Sequence, residues 1–430
     1  MPSLKDYKKK RFYRFGAIIE SCFVVLFFKL FIKKPKLSTY RALLYKKPII
    51  STLFFNNFAI TILYIKSLFY YLVLRKITIF SNKEQTVKAE VGSDNAIWPI
   101  QPFSSKEENY DFEKDLDYQD KILKSYDIGI KQNPLSYKNS DWWEKNVIEI
   151  RNLFFQDKKL NVRNIKNFLN LDYGFDLFKD SSPLKNINGI KKINSSFGLI
   201  YDYHRYSEYM DENILINLTE SNLGNLKALV YRNQIISSRI LTLGYVVSQI
   251  KKFTNLNYES SFRFLDLGGG FGNLSRLFLQ FYSNSKCVLV DIPEVCVASS
   301  YYLKSNFPQK KISLLSDINL VNSFNDKKIL DSDILIIPSW AIKHLPDNFV
   351  NLTLNTASLG EMSKDYGEFY IKEIERLTEN YFYSSNRTDS KNSIWPGFGH
   401  YSYKMEQEWM PLIYNQSPTW HLEYLGKKIK

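Results

Sequence analysis

Two apolar stretches dominate the first part of the chain. Phe15 to Ile32 is interrupted by Glu20 and Lys29, and Ile49 to Leu74 carries Asn56, Asn57 and Lys66. Basic clusters flank them: Lys5, Lys8, Lys9, Lys10, Arg11 and Arg14 before the first, Lys33, Lys34, Lys36, Arg41, Lys46 and Lys47 between the two, and Arg75 and Lys76 after the second. Residues 91–110 read as a linker, with Gly92-Ser93-Asp94-Asn95, Pro99, Pro102 and Ser104-Ser105. An acidic run follows, from Glu107 to Asp120. From about 140 to 215 helix-like and loop-like pieces mix without a repeat. Asn217 to Asn225 reads as a capped turn around Gly224. Leu229, Ile235, Ile236, Ile240, Leu243, Val246 and Ile250 recur near helical spacing, which predicts a helical segment over 217–252. Beyond it the pattern changes. Phe262–Leu267, Lys286–Asp291, Asp333–Ile337, Val350–Leu354 and Tyr381–Ser384 are short apolar runs of the buried-strand type. Ile312–Leu315 is a short strand or an insertion. Strands alternating with helical segments predict a doubly wound α/β sheet.

Charge changes the reading of the opening. The net charge is +14, and all of it lies in residues 1–90, where 18 Lys and Arg stand against 4 Asp and Glu. A nucleic-acid-binding protein spreads positive charge over its core domains, so no nucleic-acid partner is expected. A cleaved signal peptide fits poorly, because no small-residue cleavage site follows the first stretch. Two spanning helices would place the cluster 33–47 outside, against the positive-inside tendency. A charge at mid-bilayer would also cost roughly 2.5–3.5 kcal/mol. Helices lying in the interface plane meet both constraints. Residues 1–95 are therefore expected to form a basic, apolar module that meets an anionic membrane surface through residues 1–76, at the cytoplasmic face of the inner membrane. A single span over 49–74 and a soluble helical domain are the alternatives. Residues 96–240 are expected to be a linker and mainly helical cap, and residues 241–430 the α/β domain.

Composition adds bounds. Of the 430 residues, 44% are apolar and 24% charged, which excludes wholesale disorder. The three cysteines, Cys22, Cys287 and Cys296, are too few for a disulfide framework and point to a reducing compartment.

The sharpest local signal is Phe262-Arg263-Phe264-Leu265-Asp266-Leu267-Gly268-Gly269-Gly270-Phe271-Gly272-Asn273-Leu274. Leu274, Leu277, Phe278 and Phe281 follow at helical spacing, so the run is strand, tight turn, helix. Glycines let the backbone turn sharply and approach a ligand with no Cβ in the way. A dinucleotide fingerprint needs G-x-G-x-x-G, but the sixth position from Gly268 is Asn273. The G-x-G-x-G spacing, with Asp266 just before it, suits S-adenosyl-L-methionine, which has an ammonium and no pyrophosphate. Asp291 ends the next strand, where a carboxylate can accept both ribose hydroxyls. Pro293 suits the first turn of the following helix.

Asp266 to Asn273, Asp291-Ile292-Pro293-Glu294 and Tyr301-Tyr302-Leu303 resemble class I S-adenosyl-L-methionine-dependent methyltransferases. Asn355-Thr356-Ala357-Ser358-Leu359-Gly360-Glu361-Met362, with Tyr370-Ile371 and Ser385-Asn386-Arg387, is similar to the bacterial sugar O-methyltransferase family. The resemblance covers about 217–425 and leaves residues 1–95 outside. It implies a Rossmann-like class I methyltransferase domain that methylates a sugar hydroxyl of a surface glycan or its precursor. Cofactor-binding residues are then expected at Asp266, Gly268, Gly269, Gly270, Gly272 and Asp291. Asp317 would join them if Ile312–Leu315 is the third strand of the sheet, and Ser339 if it is not. Ser358, Asn386 and Arg387 are expected at the substrate.

Deprotonating a hydroxyl calls for a general base. Glu361, His344 and His400 are the candidates. Glu361 follows a strand end, His344 occupies a strand-to-helix position, and His400 sits on the aromatic, glycine-bearing loop Trp395–Tyr401. A helix cap, an ordinary loop and simple packing are the respective alternatives. The four histidines are scattered and no metal-ligand spacing is visible, so metal-independent transfer is expected. A small phenolic or lipid acceptor, or a non-catalytic cofactor-binding scaffold, are the competing functions.

Overall fold

The computed structural model describes residues 78–80, 110–133, 141–170, 202–221, 223–224, 228–232, 234–318, 330–386, 403, 405, 408–418 and 421–429. Both apolar stretches of the opening, Arg387 and His400 lie outside them. Two compact units make up the chain: residues 1–77, 89–94 and 182–208 form one, and residues 78–88, 95–181 and 209–430 the other. In the first unit residues 202–207 are helical, and Arg205 is paired with Asp202 at 2.8 Å.

The second unit crosses the boundary expected at residue 240. It contains α1 (Leu116–Lys131), α2 (Asp141–Phe154) and α3 (Ser238–Phe253) together with the sheet that follows. That sheet is built from β1 (Arg263–Leu267), β2 (Lys286–Asp291), β3 (Ile312–Leu314), β4 (Ile334–Pro338), β5 (Val350–Thr356), β6 (Thr378–Asn386), β7 (Trp409–Gln416) and β8 (Leu422–Lys428). Helices α4 (Asn273–Phe281), α5 (Pro293–Asn306) and α6 (Lys364–Leu377) alternate with the strands. The order across the sheet is β7-β8-β6-β5-β1-β2-β4-β3. Six strands are parallel, and β8 runs antiparallel to both β6 and β7.

This is a doubly wound, Rossmann-like sheet. The chain starts at β1, moves outward through β2 to the edge strand β3, fills the place between them with β4, then returns to β5 on the other side of β1. The strand order reverses there, and a crevice opens outside the carboxyl ends of the strands. Cys287–Val290 of β2 and all of β4 are apolar and buried because helices cover both faces. On one face Leu265, Leu267, Val288, Val290, Leu335 and Ile337 pack against Tyr370, Ile371, Ile374 and Leu377, which share a stripe of α6. On the other face α4 presents Leu274, Leu277 and Phe278, with the Phe278 ring 5.1 Å from Phe264.

The single helical segment expected over 217–252 is three elements. A short helix, Glu212–Asn217, is followed by an antiparallel hairpin of Ala228–Tyr231 and Gln234–Ile236, and then by α3. Leu229 faces Ile236 across the hairpin rather than stacking on a helix. Long-range hydrogen bonds decide this. The Gln234 side chain donates to the Leu215 and Leu218 carbonyls at 2.5 and 2.7 Å, and the Ile235 amide donates to the Thr219 hydroxyl at 3.1 Å. Ser237 then caps α3 by accepting from the Ile240 amide. Among the described residues no helix is long and apolar enough to cross a membrane.

Candidate active site

The strand ends at the reversal point open into a cavity of about 300 Å³. Its floor is the turn from β1 into α4. The backbone turns through Gly268, Gly270 and Gly272 at φ values of +68°, +57° and +94°. Each glycine answers a different constraint. A Cβ on Gly268 would overlap the Ser358 side chain, and one on Gly269 would press on the Asp266 carboxyl. A Cβ on Gly270 would meet nothing within 4 Å, so the space there belongs to the cavity. Gly272 caps α4 in the left-handed region.

Two carboxylates flank the turn. Asp266, on β1, is almost fully buried yet lines the cavity, and accepts from the Ser275 hydroxyl at 2.7 Å. Burial pushes its carboxyl up to about 6, opposed by the Ser275 hydrogen bonds. Asp291, ending β2, accepts from the Gly270 amide at 2.8 Å and from the Ile292 amide at 2.7 Å. Burial pushes it up to about 7, the charges of Asp266 and Glu361 adding to the shift. In both, burial raises the pKa above the ordinary carboxylate range, and a bound cation or hydroxyl donors would favour the ionised form.

On the far side of the reversal point β5 runs into the turn Thr356–Glu361. Ala357 sits at φ +55°, and its amide donates to the Ser385 carbonyl. Ser358 and Glu361 both line the cavity. A buried amide clamp fixes this turn from behind. Asn355 donates to the Leu267 carbonyl at 2.8 Å and accepts from the Leu359 amide at 3.1 Å. Asn386 donates to Asn355 at 2.7 Å and accepts from the Gly360 amide at 3.1 Å. Asn386 is thus fully buried beneath the turn and does not line the cavity, which corrects its expected place at the substrate. Its amide is consumed by neighbouring backbone and side chains.

Ser339 follows β4 and lines the cavity. Asp317 does not, because β4 lies between β3 and β2 and sets Asp317 one strand too far out. It accepts from the Leu314 amide and pairs with Lys121 of α1 at 2.6 Å. His344 ends the 3-10 turn after β4, away from the cavity lining, with its ring edge-on to Trp340 at 6.3 Å. Burial, and then Lys343, lower its pKa. Of the residues expected to act together, the structure brings Asp266, Gly268, Gly269, Gly270, Asp291, Ser339, Ser358 and Glu361 onto one cavity.

Further residues of the site are not among the expected site residues. Asn273 occupies the position where a dinucleotide fingerprint needs glycine. Its side chain donates to Glu220 at 2.9 Å and accepts from Arg276 and Tyr302, each at 3.1 Å. From α3, Arg239, Thr242, Leu243 and Val246 line the roof at helical spacing. The Arg239 guanidinium lies 4.8 Å from the Phe271 ring centre. From α2 come Trp143, Val147 and Arg151, and Arg151 pairs at 2.7 Å with Glu294, which is buried at the start of α5. Asn273, Tyr302 and Glu294 belong to stretches the sequence singles out. The others need the fold to bring them in.

The strand order and the crevice define a Rossmann-like α/β unit. No family model matches the sequence, and no curated protein is matched. Among solved structures, the chain is similar to an O-methyltransferase family 2 protein from Planctomyces limnophilus complexed with apigenin, at 12% identity, over 41% of this chain and 52% of that one, with a TM-score of 0.29. Human N-acetylserotonin methyltransferase in complex with SAM gives 12% identity over 45% and 56%, with a TM-score of 0.27. A SAM-dependent methyltransferase from Aquifex aeolicus gives 13% over 42% and 88%, also at 0.27. The chain thus spans about half the length of the first two. These likenesses concern the fold alone, and at such TM-scores they add nothing to what the strand order shows.

Proposed function

We propose that the chain is an S-adenosyl-L-methionine-dependent O-methyltransferase. The observation that carries this reading is the pair of pH-poised carboxylates, Asp266 and Asp291, on either side of a glycine turn whose Gly270 leaves room for a ligand. The residues fit the cofactor. Asp291 accepts hydroxyls of a ribose, Asp266 offsets an ammonium, and Arg239 offers a cation to a carboxylate. Gly268 to Gly270 keep side chains out of the way, and Ser339 lies on the strand side of the same crevice.

S-adenosyl-L-methionine supplies an electrophilic methyl group when bound. What remains for the protein is to position a hydroxyl and take its proton. Glu361 is the base: one of its carboxylate oxygens receives the proton of the acceptor hydroxyl, while Ser358 orients that hydroxyl. Asn355 and Asn386 are positioning residues, acting through the turn they hold. Helices α2 and α3 cover the crevice and exclude water, which helps a reaction that depends on placement.

The finer reading is a sugar hydroxyl of a surface glycan or of its lipid- or nucleotide-linked precursor. It is supported by the resemblance of Ser358–Met362 and Ser385–Arg387. The basic pattern of residues 1–76 agrees with work at an anionic membrane surface on the cytoplasmic side. A second reading is favoured by the apolar lining residues Trp143, Val147, Leu243, Val246 and Met362, which suit an acceptor with a phenolic or lipid body.

Calorimetry with S-adenosylhomocysteine tests the core of the proposal. The full chain should bind it, and Asp291→Ala should weaken binding about 100-fold, the loss expected for two charge-assisted hydrogen bonds. No binding by the wild-type chain, or unchanged binding by the variant, would defeat it.

A further inference from the structure

We propose that one face of α2 is the acceptor-recognition wall, and that the acceptor carries its reactive hydroxyl on an alkyl or aryl body. The inference rests on the methyltransferase reading above and goes beyond it to the substrate class.

The wall follows from spacing. Trp143, Val147 and Arg151 lie four residues apart, on one face of a helix, and all three line the cavity. Two features fix the direction of α2. Its far end is tied to the cofactor side by the ion pair of Arg151 with buried Glu294 at 2.7 Å. Its near end shares the cavity with the first turn of α6, since Trp143 and Tyr366 both line it. Tyr366 lines the cavity five residues after Glu361. Trp143 to Arg151 spans about 12 Å of cavity wall, at 1.5 Å per residue, ending at the start of α5.

The division of chemistry along this span is sharp. Asp266, Asp291 and Glu294 all stand on the strand side, where a cofactor takes them. On the α2 side the lining between the two ends is Trp143 and Val147, joined by Ile130 from α1. A polar group beside it is Asn133, which also lines the cavity and whose buried side-chain oxygen has no hydrogen-bond partner among the described residues. A free sugar presents a hydroxyl on nearly every ring carbon, and such a wall would strip water from most of them without replacement. An alkyl or aromatic body gains from the same burial, and the lone Asn133 oxygen can accept from one donor.

The experiment uses the full chain saturated with S-adenosylhomocysteine. Binding is measured for methyl β-glucopyranoside, for octyl β-glucopyranoside below its micelle-forming concentration, and for 2-naphthol. The expected result is that octyl glucoside, naphthol or both bind at least about tenfold tighter than methyl glucoside. Preference for octyl glucoside alone identifies an alkyl-linked sugar, and preference for naphthol an aryl hydroxyl. Val147→Asp should remove about tenfold of that preference while affinity for S-adenosylhomocysteine is unchanged. Where this variant no longer binds S-adenosylhomocysteine, the smaller change Val147→Ser decides, with an expected loss of about threefold. Equal affinities, no binding of any of the three probes, or a preference that survives the Val147 change overturn the proposal. Failure of the wild-type chain to bind S-adenosylhomocysteine defeats the underlying methyltransferase reading instead.

Discussion

At the scale of single residues, the glycine turn separates steric from chemical demands. Gly268→Ala and Gly270→Ala both place a Cβ on a backbone with positive φ, which costs about 1 kcal/mol. Only the first also drives that Cβ into Ser358. Thermal unfolding should therefore show the larger loss for Gly268→Ala. Gly270→Ala should instead lose affinity for S-adenosylhomocysteine, since its Cβ enters the cavity. Ala357 is a non-glycine residue in the left-handed region, held by the Ser385 carbonyl. Ala357→Gly should keep or raise stability, by up to about 1 kcal/mol. Asp291 links binding to pH. Its carboxyl titrates near 7 in the folded protein, against 3.8 in the ordinary state. The folded form thus keeps a proton that the unfolded chain has lost, and this stabilises the protein below pH 3.8 and is gone above pH 7. Asp291→Asn should melt above wild type at pH 8, with the gap closing as the pH falls toward 4, in a melting series without cofactor. Binding of a ribose needs the carboxylate, so affinity for S-adenosylhomocysteine should fall as the pH drops through about 7.

At the scale of elements, two connections hold the cavity together. The Asn355–Asn386 clamp fixes the turn that carries Ser358 and Glu361. Asn386→Ala leaves the Gly360 amide without its partner and the Asn355 oxygen with the Leu359 amide alone, at about 1–3 kcal/mol. Because Asn386 acts through the turn, its loss should lower kcat more than it raises KM for the acceptor. The ion pair of Arg151 with Glu294 latches α2 to α5. Arg151 is nearly half exposed, so the pair itself contributes little, but Arg151→Met leaves a buried acid unpaired. Destabilisation of about 1–3 kcal/mol is expected by denaturant titration. Glu294→Gln, which keeps a hydrogen-bonding side chain, should lose less.

At the scale of the whole molecule, the charge asymmetry belongs to residues 1–90. Membrane attachment through residues 1–76 predicts that the full chain floats with anionic liposomes and that deleting those residues abolishes flotation; flotation that survives the deletion would defeat it. In the α/β unit β1, β2, β4, β5 and β6 were legible in the sequence as short apolar runs, with helical spacing after β1, while the three-residue β3 stayed open between strand and insertion. Strands β7 and β8 were not, since β7 is an edge strand with Met410 and Tyr414 exposed, and β8 carries Glu423, buried only because Tyr245 and Tyr383 donate to it. The hairpin before α3 was hidden for a similar reason: its residues match a helix locally, and the bonds from Gln234 and Thr219 that make it a hairpin are tertiary. By itself the sequence determined the glycine turn, the acids at Asp266 and Asp291 and the strands that carry them, because steric freedom and burial act over a few neighbouring residues. Only the tertiary structure decided that Ser339 and not Asp317 reaches the crevice, that Asn386 works from beneath, and that α2 and α3 form the roof. Those outcomes depend on which strand lies beside which, and no local pattern encodes that.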